Sequence, residues 1–380
     1  MACPSALPGD SIALMAITTR GLVFRGTGRP LEIEDLVLDQ PQGGEVLVRM
    51  VASGVCHSDL HVVDGEWERP ANVVLGHEGA AIVEALGPGV PPDTIREGDF
   101  VVLAWTAPCG SCTACERAEP WLCTQPRGSG HRLQPDDVRL RRTDGTPIGV
   151  YSGIGTFGER QVVAHEAAIP IDPGTPPELA ALIGCAVTTG FGAVVNTARV
   201  RAGESVVVIG AGGVGLSAVM GARFADAGPI VVIDTNPEKL ELARRAGATH
   251  AFQPSEPDAV RELTDGGADH VLEAIGLTET VEQAIELVRP GGIVTLVGMT
   301  PQGQRAGIDV YRFVEDGKQL RGSNYGSATP AIDFPRIASL YADGRLPLDL
   351  LVTERIGLEG VEGALDAMRR GDGARRVVLY

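Results

Sequence analysis

Aromatic residues are scarce in this chain: 4% of its 380 residues, within a hydrophobic content of 44%. Its cores must therefore be built mostly from aliphatic side chains, and each aromatic near a candidate site carries information. Positive charge is also in deficit. Lys and Arg number 32 against 49 Asp and Glu, a formal net charge of -17 that would be repelled by a nucleic-acid backbone or an anionic membrane. Internal repeats and low-complexity segments are absent. No apolar run approaches the ~20 residues needed to cross a bilayer. The N-terminus lacks the charged start and continuous apolar core of a signal peptide, so a reducing cytoplasm is the expected location. There, clustered cysteines are more often metal ligands than disulfides.

Seven cysteines are present, and six fall into two sets. Cys109, Cys112, Cys115 and Cys123 form a compact cluster, Cys-x-x-Cys-x-x-Cys followed by a more distant fourth thiol. Four thiolates fill a tetrahedron and leave no place for substrate, which is the pattern of a structural zinc; an iron-sulfur centre and plain loop cysteines are the alternatives. Cys56, His77 and Cys185 are dispersed, each in a glycine-rich segment. Three protein ligands with an open fourth position suit a catalytic zinc, although buried cysteines and single histidines are also common in ordinary cores. Neighbouring residues favour the metal. Ser58, Asp59 and His61 follow Cys56 closely, and Glu78 follows His77. Asp59 is the candidate acceptor for the free ring N–H of His77, and Ser58 and His61 can pass an alcohol proton toward solvent. Cys3 lies in an extension before Met15 and reads as a bystander.

From about Met15 to Pro173 the chain reads as short strands, including Glu45 to Val51 and Phe100 to Leu103, with a polar loop between Cys123 and Gly153. From about Val187 the rhythm becomes apolar strands at 206–209, 230–233, 268–272 and 293–297 separated by helix-length segments, as in a parallel sheet with crossover helices. An amphipathic helix, Asp333 to Ala342, and a β-like tail follow. The first of these strands runs into Gly210-Ala-Gly212-Gly213-Val214-Gly215 and then a helical pattern. Such a loop brings backbone N–H groups against a pyrophosphate, and Asp234, at the end of the next strand, can accept from a ribose 2′-hydroxyl. A bare glycine turn is the alternative for the loop alone. The order strand, glycines, helix and acid points to a dinucleotide, and the Asp234 carboxylate favours NAD over the 2′-phosphate of NADP. Lys239 reads either as a contact to the adenosine ribose or as an exposed helix lysine.

Together, Gly54-Val-Cys56-His57-Ser58-Asp59, Gly76-His77-Glu78-Gly79, the four-cysteine lobe, Gly184-Cys185 with Thr189, and the Gly210 loop with Asp234 make the chain similar to the zinc-dependent alcohol dehydrogenases of the medium-chain dehydrogenase/reductase superfamily. The resemblance covers nearly all of Met15 to Tyr380. It implies an α/β fold in which a doubly wound Rossmann domain (187–328) is inserted into a chaperonin-10-like β-barrel catalytic domain (1–186, zinc lobe at about 108–124, completed by 329–380). Two zinc ions per subunit and NAD are the implied cofactors, and the implied reaction is interconversion of a small alcohol and an aldehyde or ketone by hydride transfer, with zinc activating the alkoxide. Glu78 is expected to approach the catalytic metal, Thr189 the nicotinamide, and Arg376 the pyrophosphate. His57 occupies a position where many relatives carry arginine. Trp67, Trp105 and Tyr151 fall near pocket-lining positions, with core packing as the simpler reading. The segment from Leu346 to Gly357 is similar to relatives that oxidise thiol adducts of formaldehyde, for which Arg127, Arg132, Arg141 and Arg142 are candidate anchors or merely exposed loop cations. A non-catalytic dinucleotide-binding protein is the reading from another class. The resemblance further implies a homodimer, through edge-strand pairing near Gln319 to Tyr325, or a homotetramer.

Overall fold

The computed structural model describes residues 16–127 and 138–380; Cys3, Met15 and Arg132 lie outside them. Three β-sheets organise the chain. Ile17–Phe24, Glu32–Leu38, Leu140–Arg142, Pro147–Val150 and Val73–Val74 close into a small barrel. Beside it lies a larger sheet in the order Ala168–Pro170, Phe100–Leu103, Glu78–Leu86, Glu45–Gly54, Arg375–Leu379 and Val352–Ile356, with Arg160–Ala164 also paired to Glu45–Gly54. The last two strands come from the C-terminal end of the chain, and Arg375–Leu379 pairs antiparallel with Ala52 to Gly54.

The third sheet is wholly parallel, in the order His250–Phe252, Ile230–Ile233, Val206–Ile209, Ala268–Glu273, Val288–Leu296, Gln319–Gly322. Val206–Ile209 and Ile230–Ile233 are buried along their whole length because helices cover both faces, which is why they read as unbroken Val/Ile runs. The strand order reverses at Val206–Ile209, and a crevice opens there beyond the carboxyl ends of the strands, where doubly wound sheets take their ligands.

One helical segment, Pro177–Ala198, joins the two parts. It is apolar enough to pass for a membrane span (mean hydropathy 1.7 over an 18-residue window), contrary to the expectation that no such run exists, yet 83% of that window is buried inside the protein. It is apolar all round because it packs against the catalytic sheet at one end and the first helix of the parallel-sheet unit, Gly213–Phe224, at the other. Gly190 permits that second contact: a Cβ there would stand 2.1 Å from the Val214 carbonyl oxygen. The expected division at 186/187 thus cuts a continuous helical segment.

Candidate active site

The dispersed cysteines and histidine are brought together by three different elements. Cys56 caps the helix His57–Val63, His77 sits in the turn before Glu78–Leu86, and Cys185 lies in a π-helical turn, Ile183–Val187, within the long helical segment. Single π-turns widen a helix locally and recur at functional sites. Ligand atoms of Cys56, His77, Glu78 and Cys185 all lie within 4.8 Å of one another, and all four residues are buried. Nε2 of His77 and both carboxylate oxygens of Glu78 are buried without a hydrogen-bond partner. Orphaned polar atoms of this kind are costly unless something fills the space between them, and two thiols plus an imidazole lone pair suit zinc.

Asp59 orients this set. Its Oδ1 accepts from His77 Nδ1 (3.2 Å) and the Gly76 N–H (3.1 Å), while Oδ2 accepts from the Cys56 N–H (3.1 Å). With Nδ1 so engaged, the Nε2 lone pair of His77 faces the thiols. The Cys185 thiol, hydrogen-bonded to Cys56, holds the Cys56 pKa well below the ordinary range, with the Arg375 and His77 charges adding to the effect. Burial lifts the Glu78 carboxyl to about 8. Gly54 makes room for it, since a Cβ there would lie 2.1 Å from Glu78 Oε2.

The four-cysteine cluster is half-buried and its ligand atoms also lie within 4.8 Å of one another. Measured Sγ–Sγ separations are 3.6 Å (Cys112–Cys115), 3.8 Å (Cys112–Cys123) and 4.0 Å (Cys109–Cys115). These are far too long for disulfides, and zinc–sulfur bonds of ~2.3 Å in a tetrahedron give edges of about 3.8 Å. Backbone N–H groups of Cys109 and Cys112 point at the sulfurs of Cys123 and Cys109, both at 3.3 Å. The lobe is tied to the exit of the parallel sheet, where Asn324 donates to the Trp121 carbonyl (3.0 Å).

At the crevice, Gly210 has φ +99°, a conformation that favours glycine, and a Cβ on Gly215 would lie 1.8 Å from the Gly210 carbonyl oxygen. The helix Gly213–Phe224 starts after Gly212 with no side-chain cap, which leaves its first N–H groups for a phosphate. Both oxygens of Asp234 accept backbone N–H groups, from Ala211 (2.7 Å) and Asn236 (2.8 Å). A carboxylate has about four acceptor positions, so a ribose hydroxyl can still be bound. Thr189, half-buried, lies one turn beyond Cys185 on the same helical segment, which brings the metal set and the dinucleotide crevice into register.

The expectation for Arg376 meets a competing arrangement: its Nε lies 2.8 Å from Glu354 and its Nη1 donates to the Asp372 carbonyl (3.0 Å). The preceding Arg375 is the buried one: it lies 3.6 Å from Glu78 Oε1 and 3.7 Å from Cys56 Sγ, and would meet a Cβ on Gly213 at 2.7 Å. Side chains alternate along a strand, so adjacent residues of Arg375–Leu379 face opposite sides. His57 is exposed at its edge yet surrounded by enough protein for desolvation to lower its pKa, with Arg375 and Lys239 acting in the same direction. Of these groups, Arg375 stands directly against the Gly213 helix start.

Around the metal set, Tyr151 meets His77 edge-on (5.6 Å between centroids), and burial pushes its hydroxyl up to about 12. Trp67 is buried and stacks on His61 at 4.5 Å. Trp105 stacks on Tyr325 (4.2 Å), and its indole N–H is buried without a partner. Ser58 and His61, three residues apart on the helix, share a face. Of the loop arginines, Arg127 pairs with Glu166, Arg141 with Asp39 and Arg142 with Glu34, so none of the three is a free cation.

Comparison with known proteins agrees with this geometry. A family profile described as "Alcohol dehydrogenase GroES-like domain" matches residues 42–173, and one described as "Zinc-binding dehydrogenase" matches 213–343. The chain is 37% identical over 370 residues to the S-(hydroxymethyl)glutathione dehydrogenase of Escherichia coli O1:K1 / APEC, covering 95% of this chain and all of that protein. It superposes on an alcohol dehydrogenase zinc-binding domain protein from Burkholderia ambifaria with TM-score 0.91 at 36% identity, covering 96% and 99% of the two chains. With benzyl alcohol dehydrogenase from Acinetobacter calcoaceticus the TM-score is 0.88 at 32% identity, with the same coverage. The chain is an oxidoreductase with zinc and NAD as cofactors, and it belongs to the zinc-dependent alcohol dehydrogenases of the medium-chain dehydrogenase/reductase superfamily.

Proposed function

We propose that the chain interconverts a primary alcohol with an aromatic or otherwise apolar body and the corresponding aldehyde. The observation that carries this reading is the placement of scarce aromatics, Tyr151 against His77 of the metal set and Trp67 against His61 on the helix that Cys56 caps. Trp105 adds an apolar wall and an unpartnered indole donor. Bound zinc supplies a Lewis acid that acidifies an alcohol, and NAD accepts the hydride. The protein's own residues do the rest: Cys56, His77 and Cys185 would hold the metal, Asp59 fixes His77, and the buried Glu78 carboxyl lies beside them as a further oxygen donor. Ser58 takes the alcohol proton and His61 carries it outward. Thr189, the Gly210 to Gly215 loop, Asp234, His57, Lys239 and Arg375 position the dinucleotide, the Asp234 carboxylate selecting NAD.

A second reading, oxidation of an S-hydroxymethyl thiol adduct of formaldehyde, is supported by the name of the 37% identical relative. The ion pairs that occupy Arg127, Arg141 and Arg142 weigh against an anionic anchor on that loop. The test is NAD reduction over a panel of alcohols, with and without low-molecular-weight thiols and formaldehyde. Turnover of benzylic and long-chain alcohols without thiol supports the first reading; activity only with thiol replaces it with the second.

We further propose a homodimer built on the free edge Gln319–Gly322, beside which Val310, Tyr311 and Val314 are 69 to 75% exposed. Light scattering on the purified protein gives a dimer or tetramer if this holds and a monomer if it does not. The reduced thiols that both metal sites need suit a cytoplasmic setting, which fractionation tests.

A further inference from the structure

The helix His57–Val63 ends in a turn that brings a carboxylate back onto the residue expected to carry the proton. Gly65 has φ +78°, its N–H bonds to the Val62 carbonyl (3.2 Å), and the Glu66 N–H bonds to the His61 carbonyl (2.9 Å). This pair of bonds is the Schellman ending of a helix, in which glycine supplies the left-handed residue and the chain folds back over the last turn. Folding back places Glu66 beside His61, and Glu66 Oε2 is hydrogen-bonded to His61 Nδ1. The other side of the imidazole stacks on Trp67 (4.5 Å, 23° between planes). This clamp is itself anchored to the parallel-sheet unit: Trp67 Nε1 donates to the Thr300 carbonyl (3.2 Å) and the Gln302 N–H to the Glu66 carbonyl (3.2 Å). The His61 side chain is 13% exposed and that of Glu66 42%, so the pair runs from the protein interior to the surface.

We propose that Glu66 is the positioning residue of the proton path: its carboxylate accepts the Nδ1–H of His61, which fixes the ring's tautomer and leaves the Nε2 lone pair to receive the alcohol proton. The proposal rests on the reading of Ser58 and His61 as that path. A neutral imidazole has one donor nitrogen and one acceptor nitrogen, and the partner of the first decides which is which. When Nε2 takes the proton, both nitrogens carry hydrogen and the imidazolium lies against the Glu66 carboxylate. The proton then leaves Nε2 for water, which restores the starting tautomer, and Glu66 does not need to be protonated at any step. The clamp by Thr300 and Gln302 makes the arrangement depend on contact between the two parts of the molecule.

The test is a double-mutant cycle on the zinc-loaded enzyme with Glu66→Leu, His61→Ala and the pair, reading the single-turnover rate of NADH formation and the solvent isotope effect on it. Glu66→Leu is expected to slow the step ~10-fold, with the zinc content and the KM for NAD unchanged. Glu66→Gln, whose amide oxygen can still accept from Nδ1, should recover most of the rate. In the His61→Ala background Glu66→Leu should cost nothing more. A wild-type rate in Glu66→Leu, an effect that persists without His61, or a Glu66→Gln as slow as Glu66→Leu would each overturn the assignment. An unimpaired His61→Ala would instead overturn the proton path itself.

Discussion

Asp59→Asn probes the support of the dispersed metal set with almost no change in volume. In the native protein Asp59 is fully buried and accepts three N–H groups, two on Oδ1 and one on Oδ2. An asparagine offers one acceptor end and one donor end. If its oxygen keeps Gly76 and His77, its NH2 faces the Cys56 N–H, and two buried donors oppose each other at a cost of about 1–3 kcal/mol. If it is turned over, the oxygen keeps Cys56 and the NH2 faces Nδ1 of His77. The ring must then accept at Nδ1 and carry its proton on Nε2, which blocks the atom that points at the thiols. Either outcome weakens the site. The expected loss is ~10–100-fold in zinc affinity, or about 1.4–2.7 kcal/mol. A chelator competition reads this directly, with Cys109, Cys112, Cys115 and Cys123 as an internal control that should keep its zinc. Two equally retained ions in Asp59→Asn, with His77 still ligating, would refute the role given to the carboxylate.

Cys56→Ala should abolish turnover while thermal unfolding changes little, whereas Cys112→Ala should lower the unfolding temperature, because a closed four-thiolate site contributes to folding; equal destabilisation in both would remove the distinction between the two sites. Arg375→Leu should weaken NAD binding ~10-fold or more, consistent with the loss of one charge-assisted bond, while Arg376→Leu leaves it near wild type; titration by NADH fluorescence decides, and the reverse order would restore Arg376. The buried Glu78 carboxyl, lifted to about 8, has a folded-state pKa above its unfolded value, so in the metal-free protein its contribution is fully present below the unfolded pKa and is lost as pH rises through about 8. Melting temperatures of metal-free Glu78→Gln should therefore fall less than those of wild type between about pH 5 and 9; parallel profiles would show that burial does not burden this group.

Much of the fold is legible because buried parallel strands must be apolar throughout. Val206–Ile209 and Ile230–Ile233 announce themselves as unbroken Val/Ile runs, whereas His250–Phe252, half-buried at the sheet edge, has no such signature. Pro177–Ala198 was hidden for the opposite reason: glycine and threonine interrupt its apolar residues, and only packing on two sides shows it to be one helical span. The metal set is legible from short segments because each candidate ligand comes with its own turn chemistry. Facing is not legible. Arg375 and Arg376 are chemically identical, and only the pairing of Val377 with Gly54 decides which one lies buried beside Glu78 and Gly213. Glu66 is a related case, since Asp64-Gly65 signals a helix end but not that the next side chain returns to His61.

The two metal sets also differ in what they demand of the fold. The four cysteines lie within one short stretch, Cys109 to Cys123, joined by their own backbone N–H···S contacts, so a local loop is enough to build them. Cys56, His77 and Cys185 come from a helix cap, a strand entry and the segment that packs on both halves of the molecule, and Arg375 joins them from the last strand. Their assembly therefore draws on long-range packing: the C-terminal strand pairs with Glu45–Gly54, and the parallel-sheet unit packs closely through Gly190. On the proposed roles of Cys185 and Thr189, a turn apart on one helical segment, the reacting centre lies where the metal set and the dinucleotide crevice meet. A substitution that loosens the packing of Pro177–Ala198 without touching a ligand, such as enlarging Gly190 against Val214, must therefore disturb hydride geometry before it disturbs the four-cysteine lobe.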